Sequence, residues 1–96
     1  MLEVENACDG TILVTYSGIL PEERYETSGL DRVATSIAPQ GQRRVEPPLV
    51  DGGFLLARAE GGEWVALVAL EGEGSPTGDE YTIEGEACGR LRAATP

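Results

Sequence analysis

Two apolar runs, Phe54-Leu-Leu-Ala-Arg-Ala59 and Trp64-Val-Ala-Leu-Val-Ala-Leu70, meet at the turn Glu60-Gly61-Gly62. Short runs of this kind on either side of a Gly pair read as a β-hairpin. Both strands are apolar on both faces, and this constrains the fold more than any other feature. Successive side chains of a strand alternate between faces. Trp64, Ala66, Val68 and Leu70 are therefore expected on one face, and Val65, Leu67 and Ala69 on the other. On the first strand Phe54 and Leu56 oppose Leu55, Ala57 and Ala59. A sandwich of two sheets buries one face of each strand, so the second must be covered or left in water. Two coverings stay open: the chain's own segment 18–31, or another protein. The second reading selects Leu55, Ala57, Val65 and Leu67 as interface residues. Apolar burial there is worth on the order of 25 cal/mol per Å² before the cost of association.

The rest of the chain carries strand signals at short intervals. Leu2-Glu-Val is a brief first strand, Asp9-Gly10 a turn, and Thr11-Ile-Leu-Val-Thr-Tyr16 a β-branched, aromatic strand. Pro21-Glu22-Glu23 suits a single helical turn, because Pro is tolerated at its start and carboxylates favour its positive end, and it reads equally as loop. Arg32 to Ala38 alternates, with Val33, Thr35 and Ile37 on one side. Pro39-Gln40-Gly41 is a tight turn with Pro at the second position. Gln42 to Glu46 returns as a polar strand, and Pro47-Pro48, which cannot donate to a sheet, is an edge exit or an extended crossover. Tyr81-Thr-Ile-Glu and Arg90-Leu-Arg read as the closing strands. The expectation is one domain over residues 1–96, all-β: a small antiparallel β-sandwich of seven or eight short strands, with Ile12, Val14, Ile37, Phe54 and Trp64 in its core.

Charge narrows the partners. Seven Arg and no Lys stand against seventeen Asp and Glu, a net charge of −10. Phosphate affinity comes from cations that displace counterions, so neither nucleic acid nor an anionic membrane is expected as a partner. The longest apolar run, Trp64 to Leu70, is too short to span a bilayer, and Met1-Leu-Glu-Val-Glu-Asn lacks the pattern of a signal peptide. Arg43-Arg44 is the one adjacent basic pair, a solvated strand face or a contact for an acidic patch on a neighbour.

The chain contains no His, the residue best suited to proton transfer at neutral pH, and no Ser has a candidate base beside it. Glu71, Glu73, Asp79 and Glu80 match no calcium-loop spacing and read as a solvated loop. No enzyme activity, cofactor or metal is expected. Cys8 and Cys88 lie near opposite ends, 80 residues apart, and two readings stay open: a disulfide joining first and last strands, or two small buried thiols.

Cys8-Asp9-Gly10-Thr11 leading into a strand, Ile37-Ala38-Pro39-Gln40-Gly41 before another, Gly61-Gly62-Glu63-Trp64, and the closing Cys88-Gly89 resemble immunoglobulin-like β-sandwich surface modules of GC-rich bacteria. The resemblance implies an Ig-like or jelly-roll-like sandwich and a non-catalytic role, and it assigns no binding residues. The expectation is therefore a structural module acting by protein–protein contact, with itself as a homo-oligomer or with a larger shell. An accessory component decorating a virion exterior fits this description, as does a secreted or cell-surface binding module.

Overall fold

The computed structural model describes residues 2–26, 28–45, 52–70 and 80–95. Among these residues seven strands form two sheets. The first sheet, in the order β4-β1-β7, contains β1 (Leu2–Asn6), β4 (Gln42–Val45) and β7 (Glu80–Ile83). The second, in the order β3-β2-β5-β6, contains β2 (Ile12–Ser17), β3 (Thr35–Ile37), β5 (Phe54–Ala59) and β6 (Val65–Ala69). They face each other as a sandwich, and their inner faces supply one core: Leu2, Val4, Val45 and Ile83 from the first sheet, and Ile12, Val14, Ile37, Leu55 and Ala57 from the second. The alternation of Leu2, Val4 and Asn6 inward with Glu3 and Glu5 outward shows how β1 was specified. Pro47, Pro48 and the acidic stretch 71–79 lie outside the described residues.

Two features depart from expectation. The sandwich is not wholly antiparallel, because β1 and β7 pair parallel, Glu3 opposite Glu80 and Asn6 opposite Ile83. Strands so far apart in sequence are free of the hairpin constraint that forces neighbours to run antiparallel. The closing segment is also a helix, α2 (Glu86–Ala93), where Arg90-Leu-Arg suggested a strand. Ala87 and Leu91 stand four residues apart on one helical face; Leu91 is buried and Ala87 packs on the core. Glu86 in the first turn and Arg90 and Arg92 in the last suit the helix dipole.

The turn at Ala38-Pro39-Gln40-Gly41 forms as read, closed by the Gly41 amide donating to the Ala38 carbonyl at 2.9 Å. Gln40 takes φ 65°, the conformation that the third residue of a type II turn requires. Beside this turn lies a buried polar hub. Asn6 is fully buried and donates through Nδ2 to the carbonyls of Gly10 and Ile37, both at 2.9 Å. Its Oδ1 accepts from the Cys8 amide at 2.8 Å, and its carbonyl accepts from the Gln40 amide at 2.7 Å. One side chain thus joins β1, the loop before β2 and the end of β3. Across the sandwich, the Tyr16 hydroxyl on β2 donates to the Val45 carbonyl on β4 at 2.9 Å, tying the sheets together.

Candidate functional site

The second face of the hairpin is closed by the chain itself. Between the antiparallel neighbours β2 and β3 the backbone crosses over the hairpin face: a 3-10 turn at Pro21–Glu23, the helical of the two readings left open, then the short helix α1 (Ser28–Val33). The alternating pattern at Arg32 to Ala38 suggested a strand throughout, but only 35–37 is extended, and Val33 ends the helix 68 % exposed. Leu30 of α1 packs with Leu56 and Trp64 in a second apolar cluster, flanked by Leu13, Ala34, Phe54 and Ala66. Of the expected core residues, Ile12, Val14 and Ile37 belong to the main core, Trp64 is buried in the second cluster, and Phe54 is only half-buried against it.

This arrangement removes two of the residues selected as an interface. Leu55 and Ala57 are fully buried between the sheets and cannot meet a partner. Val65 and Leu67 are half-buried, and both pack against the main core. The alternation along β6 fails because the β5–β6 register shifts at Leu55/Leu56, with Leu55 opposite Val68 and Leu56 opposite Ala66. The extra residue lets Leu67 and Val68 both serve the main core. Arg43 and Arg44 are exposed on β4, an edge strand of its sheet. Arg44 stands opposite Glu3. Arg43 shares with buried Val45 the side of β4 that alternates inward, and a charge so placed at an edge discourages further strand pairing.

The crossover is held at both ends. Ser17 Oγ donates to the Ile19 carbonyl at 2.6 Å and accepts from the Ile19 amide at 3.2 Å and from Arg24 Nη1 at 3.3 Å. At the other end Arg58 Nε of β5 meets Asp31 Oδ1 of α1 at 2.9 Å, and Trp64 Nε1 donates to the same oxygen at 3.2 Å. The Arg58 guanidinium lies 5.7 Å from the centre of the Trp64 ring, within cation–π range. A cleft of about 650 Å³ opens here, lined by Pro21, Glu22, Asp31, Arg58, Glu63 and Trp64. The indole N–H, Arg58 Nε and Asp31 Oδ1 are already engaged with one another, so this trio clasps α1 onto the hairpin.

The clasp leaves the outer side of the crossover open. Tyr25 is fully exposed at 104 %, and Ile19 at 42 % joins Val33 as an exposed large apolar side chain. All three belong to residues 18–33, which contribute the entire set of exposed large apolar side chains among the described residues. Sequence reasoning missed this surface because it treated the segment only as a possible cover for the hairpin. The signal was present in the apolar residues that a covering loop carries beyond the one it needs. The open reading of the cysteines resolves as a disulfide: Cys8 and Cys88 are bonded, Cα–Cα 5.6 Å, joining the loop after β1 to α2 rather than two strands.

Comparison with protein-family models, with curated proteins and with solved structures finds no match for this chain.

Proposed function

We propose that this protein is a non-catalytic module that works by protein–protein contact on an exterior surface, such as a virion coat or a cell envelope. The observation that carries the reading is the crossover 18–33, which presents Tyr25, Val33 and Ile19 to solvent while Leu30 on the same segment closes the fold. Binding residues concentrate on loops positioned by a rigid scaffold, and Tyr is enriched at contact hot spots because it supplies large area at low entropy cost. The Cys8–Cys88 bond supports an oxidising setting, since such bonds persist in extracellular compartments and are rare where thiols are kept reduced. The net charge of −10 favours a partner surface of opposite sign and discourages unregulated self-adhesion. Arg43 and Arg44, on the far edge of the first sheet, would then be a secondary anchor for an acidic neighbour.

Sedimentation velocity tests the reading, using the wild type and a Tyr25→Ser/Val33→Ser variant, alone and mixed with surface proteins of the source. The wild type is expected to enter complexes. The variant, with an unchanged unfolding midpoint, should sediment as a monomer of 10.2 kDa. Equal sedimentation of the two proteins under every condition would overturn it.

A further inference from the structure

Among the described residues α2 packs against β5 and β6, the last two strands of the four-stranded sheet. Leu91 enters the main core, and Ala87 and Cys88 pack against it. The Arg90 guanidinium donates to the Ala66 carbonyl of β6 at 2.5 Å, and the Ala94 carbonyl accepts from the Glu63 amide at 3.0 Å. Because β6 is an edge strand, α2 and the residue after it occupy backbone groups along an edge of the hairpin.

Little in α2 itself keeps it there. It is eight residues long, begins after Gly85 at φ 53° without a side-chain cap, carries Gly89 in its interior and buries one side chain, Leu91. A helix so short does not persist without tertiary support. Its firmest tie is covalent, through Cys88 in its first turn to Cys8. That tie is reachable from solvent. Both cysteines are half-buried, and a cleft of about 150 Å³ opens against them, lined also by Asp9, Thr11, Leu91 and Arg92. Arg92 and Asp9, of opposite charge, both line the cleft, so its mouth does not carry charge of one sign alone.

We propose that Cys8–Cys88 is a thiol-addressable latch: a dithiol reductant entering this cleft opens the bond, releases α2 and uncovers the β6 edge. A thiolate of the reductant attacks one cysteine sulfur, forms a mixed disulfide and expels the other cysteine as a thiolate. The second thiol of the reductant then displaces the first cysteine and closes the reductant as a disulfide. Two electrons and two protons pass from the dithiol to the protein, which ends with two thiols. The sandwich holds without the bond, because strand pairing, the Asn6 hub and the Tyr16–Val45 hydrogen bond do not pass through α2. Release leaves the Ala66 carbonyl and the Glu63 amide without their partners from the C-terminal segment.

The test reduces the folded protein with dithiothreitol. Alkylation and intact mass count free thiols across low urea concentrations, and amide hydrogen exchange compares the oxidised and reduced forms. Reduction is expected at a rate flat through low urea. Afterwards the amides of α2 and of Glu63 should exchange about tenfold faster or more, with β1, β2 and β5 unchanged. A Cys8→Ser/Cys88→Ser variant should show the same pattern. A reduction rate that climbs from the first increment of urea would mean that the bond opens only in the unfolded chain, and would overturn the proposal. So would unchanged exchange in α2 after reduction. Loss of protection in all strands together would also overturn it, by making the bond a staple of the whole fold.

Discussion

Replacing Asn6 by Asp keeps the shape of a fully buried side chain and reverses its hydrogen-bonding sense. Oδ1 still accepts from the Cys8 amide, but the group that donated to the Gly10 and Ile37 carbonyls at 2.9 Å becomes an oxygen facing two oxygens. The buried Ile37 carbonyl left unsatisfied costs about 1–3 kcal/mol, while the carbonyl of exposed Gly10 can turn to water, so the predicted loss near neutral pH is about 1–3 kcal/mol. Burial and the facing carbonyls also disfavour the charged carboxylate, which raises its folded-state pKa above the unfolded value of about 4. A pKa raised on folding gives stability that is fully present below the unfolded value and lost as pH rises through the folded one. The deficit of Asn6→Asp relative to wild type should therefore shrink on acidification, because the protonated acid donates once more to one carbonyl. Urea unfolding followed by fluorescence of the single Trp64 measures both proteins in parallel from neutral to acid pH. A deficit below about 1 kcal/mol, or one that does not change with pH, would refute the assignment of Asn6 as the polar hub.

Three further outcomes follow from the same structure. Tyr16→Phe removes the hydrogen bond to the Val45 carbonyl that ties the sheets together and should cost about 1 kcal/mol in denaturant unfolding. Burial raises the pKa of Tyr16, and it raises that of Tyr81 against the opposing charge of Arg90. Both therefore give stability that is present below the ordinary tyrosine pKa of about 10 and lost as pH climbs through the folded values. Alkaline titration of the unfolding midpoint should show this fall, with part of the slope gone in Tyr16→Phe. Glu3 and Glu80 stand directly opposite in the β1–β7 pair, where like charges destabilise, so Glu80→Gln should raise stability by about 0.5 kcal/mol, less at high salt.

The sequence exposed the sandwich most clearly where one physical rule acted alone. Period-two alternation places β1, and β-branched residues place β2. The Gly pair places the hairpin turn, and Pro39 the turn before β4. It misled where a second rule intervened. Arg90-Leu-Arg has strand-like spacing, but the i, i+4 pairing of Ala87 with Leu91 and a bond at Cys88 favour a helix there. The shift at Leu55/Leu56 reassigns the faces of β6, and no residue type announces it. The clasp among Asp31, Arg58 and Trp64 joins three positions far apart in sequence, so neither spacing nor composition could assemble it. Asn6 was hidden for a different reason. A polar residue ending a strand ordinarily faces water, and only the convergence of three backbone segments makes it core.

Contact through the crossover is tested most directly by placing a photo-reactive residue at position 25 in the full chain, in its source, and comparing it with the same residue at position 82. Tyr25 and Thr82 are both exposed, the first on the crossover and the second on β7 of the opposite sheet. The prediction is a discrete cross-linked protein species from position 25, absent from position 82 and abolished by Val33→Asp. Identical products from the two positions, or none from position 25, would contradict the account.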